Sequence, residues 1–162
     1  GKGGVKKEID EIEDRVIGNL RGRVRAIVLY RMANANNSIV IGTGNRTEAL
    51  IGYFTKYGDG AVDCHPIGNL YKCQVRQLAE WVGVPNKYIT KAPTAGLWEG
   101  QTDEKELGMG YDILDLILYL LIEQKMPVGE VQKILEIDGK EVLEVQKMYE
   151  LSEHKRSVPP SP

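Results

Sequence analysis

Residues 38–63, SIVIGTGNRTEALIGYFTKYGDGAVD, constrain the fold more than any other stretch. Ile39, Val40 and Ile41 form a short apolar run that stops at Gly42-Thr43-Gly44. A helical pattern starts at Asn45, with Ala49, Leu50, Tyr53 and Phe54 at helix spacing. Gly58 is placed to end that helix, and Asp59-Gly60 to make a turn. A buried strand, a glycine-rich corner and a helix N-terminus together build a nucleotide corner in open α/β sheets, because strand carboxyl ends and helix N-termini converge there. The pattern matches neither GxGxxG nor a P-loop, so by itself it names no ligand. It does predict an α/β layered domain with a parallel sheet, in which residues 39–41 are the clearest strand.

Composition narrows the classes. A chain of 162 residues is one domain by length and buries about two thirds of its unfolded surface. The formal net charge of −2 provides no basic field, which argues against nucleic acid as a partner. No apolar run is long enough to span a bilayer and no secretory h-region is present, so neither membrane nor export is expected, and the cytoplasm is the expected compartment. Cys64 and Cys73 make neither a disulfide framework nor a metal-ligand pattern, and read as small hydrophobes in a reducing compartment.

Along the chain, Gly1-Lys2-Gly3-Gly4 reads as a flexible start left by processing, tagging or truncation. A short helix is expected around Glu8 to Arg15, broken at Gly18-Asn19. Asn19 is placed to cap a helix over residues 20–34 whose buried stripe is Val24, Ile27, Val28 and Met32. Arg21 and Arg25 share a face of it; Arg23 lies on the side of Ile27 and Tyr30, where snorkelling suits it. Further helices are predicted over 70–82, capped by Asn69 with Val75, Leu78, Ala79 and Val82 inward, then over 85–90, 111–124, 127–136 and 139–151. Residues 91–110 read as a lid or a disordered loop, and 152–157 as an irregular tail.

Several residues carry two readings. Thr43 is an ordinary turn hydroxyl or, at a strand end, a nucleotide contact. Asn45 and Glu48 have capping-box spacing, yet a carboxylate in that first turn also lies where Mg²⁺ on a triphosphate would sit. Lys56 sits near the predicted helix C-terminus, where a cation is favourable anyway. Asp63 reads as a turn acid, and His154 and Lys155 as solvated surface. Lys72 falls early in its helix, at the unfavourable end of the dipole, which an anionic ligand explains better than helix stability does.

GTGNRTE, YFTKYGDGAVD and APTAGLWEGQTDEKELG, in this order and spacing, closely resemble the ammonia-dependent NAD synthetases. The resemblance covers residues 17–157 of a single domain spanning 1–162, with 1–16 and 158–162 as flexible flanks. It implies a Rossmann-like, adenine nucleotide α-hydrolase-like fold, incomplete at its N-terminal side and helical in its C-terminal third. The implied enzyme is an NAD synthase, a carbon–nitrogen ligase. It adenylates the nicotinate carboxylate of deamido-NAD with Mg-ATP, and ammonia then displaces AMP. By the same resemblance Thr43, Lys72 and Thr94 are ATP contacts, Glu48 is the Mg²⁺ ligand, and Arg23, Lys56, Asp63, His154 and Lys155 are deamido-NAD contacts. Residues 90–108 would be the lid that keeps water from the acyl adenylate. A homodimer is implied, with ammonia free or supplied by a separate glutaminase.

One departure outweighs the matches. The family carries a Ser-Gly-Gly-x-Asp-Ser pyrophosphate loop, and no such string occurs here. The expectation is therefore a C-terminal part of a synthetase: a split gene product that works with a separate N-terminal fragment, a truncated form, or the product of a decayed gene. The alternative is a non-catalytic remnant that binds dinucleotide or dimerises. An unrelated doubly wound nucleotide binder would require all three strings to match by accident.

Overall fold

Helix α1 (Lys2–Ala35) runs unbroken through Gly18 and Asn19 in the computed structural model. The structure describes residues 2–98 and 100–161, with side chains from residue 12 onward. At Gly1, Glu99 and Pro162 the expected flexible ends and lid lie outside the described residues. The chain divides into two compact units.

The first unit comprises residues 1–43, 54–66 and 92–106. Its organising seam is not the large apolar stripe the sequence suggests. From residue 12 onward the buried residues of α1 are Gly18, Gly22, Ala26 and Ala33, whereas Val24, Ile27, Val28 and Met32 are all about half exposed or more. The small residues recur at helix spacing and let chain pack directly on the helix backbone. A Cβ on Gly18 would come within 3.0 Å of Trp98, and one on Gly22 within 3.2 Å of Thr55. The glycines that look like helix breakers are thus contact points.

Polar groups on α1 then fix two segments. Arg21 donates to the carbonyl of Leu97. Arg25 donates to the carbonyls of Ala95 and Gly96 at 3.3 and 3.2 Å. On the other side, Arg23 Nε donates to the Lys56 carbonyl at 3.2 Å, and the Tyr30 hydroxyl to Asp63 Oδ1 at 3.3 Å.

Residues 40–42 and 63–64 run parallel. Asp63 N donates to the Val40 carbonyl at 3.0 Å and Gly42 N to the Cys64 carbonyl at 2.8 Å, giving one parallel bridge, Ile41 to Cys64. Among the described residues there is no β-strand, so the expected parallel sheet is present only as this bridge. Val40 is buried, but Ile39 and Ile41 are 63% and 52% exposed. Strand geometry persists where backbone partners and a covering layer hold it, and here a single neighbour pairs with residues 40–42.

The second unit comprises residues 44–53, 67–91 and 107–162. Its helices are α2 (Arg46–Ile51), α3 (Lys72–Trp81), α4 (Asn86–Ile89), α6 (Tyr111–Leu118), α7 (Val128–Leu135), α8 (Gly139–Leu151) and α9 (Glu153–Arg156). A short α5 (Asp103–Leu107) precedes α6, inside the stretch read as a loop. The core is built on α6, where Leu114, Ile117 and Leu118 recur at i, i+3 and i+4 and are fully buried. They pack in one cluster with Tyr111, Val131 of α7, and Val142 and Val145 of α8. Helix α6 continues as a π turn (Tyr119–Glu123). Helix α8 has the predicted limits, with Asp138 accepting from Lys140 N at 3.0 Å as its cap. The tail expected to be irregular forms the helical turn α9.

Candidate functional site

Helix α2 begins at the capping box the sequence anticipates. Asn45 Oδ1 accepts Glu48 N–H at 3.1 Å, and Glu48 Oε2 accepts Asn45 N–H at 3.2 Å. The helix ends six residues earlier than expected, because Gly52 takes the left-handed conformation with φ 68° and closes it. The tail explains why the chain stops there. The Ser152 hydroxyl donates to the Leu50 carbonyl at 3.2 Å, Lys155 Nζ to the Gly52 carbonyl at 2.6 Å, and Arg156 to the Ala49 carbonyl at 3.4 Å. Cations thus meet the carbonyls that a helix leaves open at its C-terminus. A Cβ on Gly52 would collide with Ser152.

The other free oxygen of Glu48 faces α3. Lys72 Nζ lies 2.8 Å from Glu48 Oε1, with the two side chains 19% and 17% exposed. The same ammonium stands 5.0 Å from the centre of the Tyr111 ring. Lys72 opens α3, so its charge sits at the positive end of the helix, and Glu48 offsets it. Beneath the pair, the Thr47 hydroxyl accepts Lys72 N–H at 2.9 Å and donates to Asp115 Oδ1 at 2.5 Å. Asp115 Oδ2 accepts Cys73 N–H at 2.8 Å. Burial, and after it the neighbouring Asp115 carboxylate, push the Cys73 thiol up from its ordinary value. Alongside, Arg46 and the Tyr71 hydroxyl both donate to Glu123 Oε1 on the π turn. Asn69 does not cap α3; its N-cap residue is Tyr71, whose N–H donates to Gln74 Oε1 at 2.9 Å.

The remaining expected residues divide between the units. Arg23, Lys56 and Asp63 belong to the first unit, as do the exposed Thr43 and Thr94. Asp63 Oδ2 accepts Val40 N–H at 2.6 Å, so this acid organises the backbone as well as facing solvent. Arg23 meets a neutral carbonyl, and Thr94 Oγ1 accepts Gly96 N–H at 3.1 Å. Glu48, Lys72, His154 and Lys155 belong to the second unit. Sequence reasoning missed Thr47 and Asp115. A signal existed for Asp115: it interrupts the apolar run of α6 at a position that a core side chain would fill.

No group of three or more His, Cys, Asp or Glu that could hold a metal ion occurs among the described residues. Glu48 alone fits one ligand position of Mg²⁺, an ion that takes one or two carboxylates and fills its remaining positions with phosphate oxygens and water.

A family model described as NAD synthase matches residues 4–159. The chain belongs to the NAD synthase family. It is 51% identical over 150 residues to the NH(3)-dependent NAD(+) synthetase of Halobacterium salinarum, covering 93% of this chain and 56% of that protein. Against the synthetase of the same name from Thermococcus kodakarensis it is 50% identical over 150 residues, covering 93% and 59%. The chain therefore spans little more than half the length of the curated relatives it matches. Among solved structures, the NMN synthetase from Francisella tularensis superposes with a TM-score of 0.77 at 35% identity, covering 97% of this chain and 62% of that one. The NH3-dependent NAD synthetase from Campylobacter jejuni, solved with nitrate ion, gives 0.69 at 27% identity, covering 90% and 54%. Over the matched residues the chain superposes on part of the NAD synthetase fold.

Proposed function

We propose that this chain supplies part of an ATP-dependent ligase of NAD biosynthesis, which amidates deamido-NAD to NAD with ammonia and releases AMP and pyrophosphate. The observation that carries the reading is the Lys72–Glu48 pair, 2.8 Å apart at the starts of two helices. A magnesium triphosphate has a use for both halves of it: Lys72 for phosphate oxygens and Glu48 for the metal. The ion would supply charge neutralisation on the departing pyrophosphate. Lys72 adds a fixed positive charge to that task, in a setting partly closed to water. Thr43 and Thr94 are the further ATP contacts of this proposal. Arg23, Lys56 and Asp63 in the first unit and His154 and Lys155 in the second are its deamido-NAD contacts.

The assay is NAD formation from deamido-NAD, ATP, Mg²⁺ and ammonia, by this chain alone and with a supplied fragment bearing Ser-Gly-Gly-x-Asp-Ser. We expect little turnover alone and rescue by the fragment, because preorganised contacts to a leaving group are worth orders of magnitude in rate. Full turnover alone would show that the chemistry rests on other groups. Absence of rescue with dinucleotide still bound would favour a non-catalytic remnant. The likeness to a protein whose name gives NMN as its product supports including the deamidated mononucleotide as a competing substrate.

Two further parts of the reading concern assembly. The parallel bridge at Ile41 supports a parallel sheet completed at the N-terminal side by chain beyond these residues. Hydrogen-exchange protection of Ile39 and Ile41 amides on adding the fragment would support it, and unchanged exchange would count against it. The half-exposed Leu20, Val24, Ile27 and Val28 support a homodimer through α1. The α6 residues Leu114, Ile117 and Leu118 are already used in the chain's own core and offer a partner nothing. A monomer in sedimentation equilibrium at high micromolar concentration would refute the dimer. No described helix is long and apolar enough to cross a membrane, and a cytoplasmic enzyme is the compartment reading consistent with the proposal.

A further inference from the structure

Asp115 is a buried carboxylate for which the reaction above has no use. It is 4% exposed, on α6, among Leu114, Ile117 and Leu118. A carboxylate at such depth costs several kcal/mol unless its lone pairs are met, and an apolar side chain would fill the same volume without that cost.

Its two oxygens have separate tasks. Oδ1 takes the Thr47 hydroxyl at 2.5 Å, and Oδ2 takes Cys73 N–H at 2.8 Å. Thr47 is fully buried and extends the chain, accepting Lys72 N–H at 2.9 Å. Lys72 and Cys73 are the first two residues of α3, and Thr47 precedes Glu48 on α2. Asp115 therefore reaches two of the N–H groups that the first turn of a helix leaves open, one directly and one through a hydroxyl. Its negative charge also lies at the favourable end of that helix. An apolar residue could fill the volume but could not hold these N–H groups and so fix the start of α3 beside α2.

We propose that Asp115 is a positioning residue which acts through Thr47 to hold the start of α3 against α2, so that the Lys72 ammonium falls on Glu48. The inference deepens the functional reading, because it rests on Glu48 and Lys72 being the groups that meet Mg-ATP.

The test separates positioning from general stability. Denaturant unfolding of the parent chain, Glu48→Gln, Lys72→Met and the double variant gives the coupling between the two side chains. The same four are then measured on Asp115→Asn and Thr47→Val backgrounds. Coupling should be present in the parent background, lost in both altered backgrounds, and retained with Thr47→Ser, which keeps the hydroxyl. A merely structural Asp115 would lower all four midpoints alike and leave the coupling intact, and that result overturns the proposal. Should Asp115→Asn fail to fold, intact coupling on Thr47→Val overturns it equally. Calorimetry with Mg-ATP supplies the second readout: Thr47→Val should bind about tenfold more weakly, the usual scale for removing a group that orients a ligating residue, and Thr47→Ser close to the parent. Equal affinity of all three overturns the link to the substrate. A parent chain that binds no Mg-ATP even with the Ser-Gly-Gly-x-Asp-Ser fragment supplied would refute the functional reading, and the coupling would still decide the role of Asp115.

Discussion

Lys72 and Glu48 form an ion pair of 2.8 Å between the first turns of α3 and α2, with both side chains less than one fifth exposed. The pair neutralises a carboxylate, and under the proposed function a triphosphate and its metal would compete for the two halves. Lys56 belongs to the other unit, 5.5 Å from the ring of Tyr57. Lys72→Ala should thus weaken ATP binding far more than deamido-NAD binding, and Lys56→Ala the reverse. A lost charge-assisted contact costs about 1.5–3 kcal/mol, roughly tenfold or more in Kd. Calorimetry of each variant with each ligand, in a catalytically complete form, checks it; equal losses for both ligands from both variants would contradict separate assignments.

Leu114 is fully buried in the cluster that joins α6, α7 and α8. Leu114→Ala should cost about 2–5 kcal/mol, since the cavity adds to the lost transfer free energy. Leu116, on the same helix, is 47% exposed. Its alanine variant should stay within about 1 kcal/mol. Urea midpoints at unchanged m-values measure both.

Burial pushes the Tyr71 phenol up to about 12, with Glu123 acting in the same direction and the Arg46 hydrogen bond opposing. The folded chain holds this proton more tightly than the unfolded chain, whose phenol has the ordinary value of 10.0. The resulting stability is complete below pH 10 and is lost as the pH rises toward 12. Denaturation midpoints should fall through that window, and Tyr71→Phe should remove this component of the fall. An alkaline profile unaltered by the substitution would refute the assignment.

The raised Cys73 thiol reduces its thiolate fraction, and only thiolate is alkylated. In the native chain Cys73 should react with iodoacetamide more slowly than the exposed Cys64. Asp115→Asn should accelerate Cys73, because the carboxylate is one cause of the shift. Peptide mass spectrometry over a time course reads both rates. Cys73 labelling as fast as Cys64, or unaffected by the substitution, would contradict the burial and the charge respectively.

What the sequence by itself determined is local or cumulative. The Asn45–Glu48 box and the limits of α8 follow from spacings within a turn or two, which backbone geometry enforces wherever the helix lies. Three long strings fixed the NAD synthase family, because matches of that length do not depend on packing. Tertiary structure decided the rest. Gly52 rather than Gly58 ends α2, because Ser152 and Lys155, about a hundred residues away, occupy its flank. Gly18 and Gly22 continue α1 because Trp98 and Thr55 approach where a Cβ would stand. Val24 and Ile27 stay exposed because the small residues beside them made the closer contact. Residues 39–41 have strand composition, yet strands exist only where neighbours pair, and among the described residues a single bridge formed. Asp115 reaches Thr47 across 68 positions of sequence, a contact with no periodicity to announce it, and on that contact the placement of Lys72 rests.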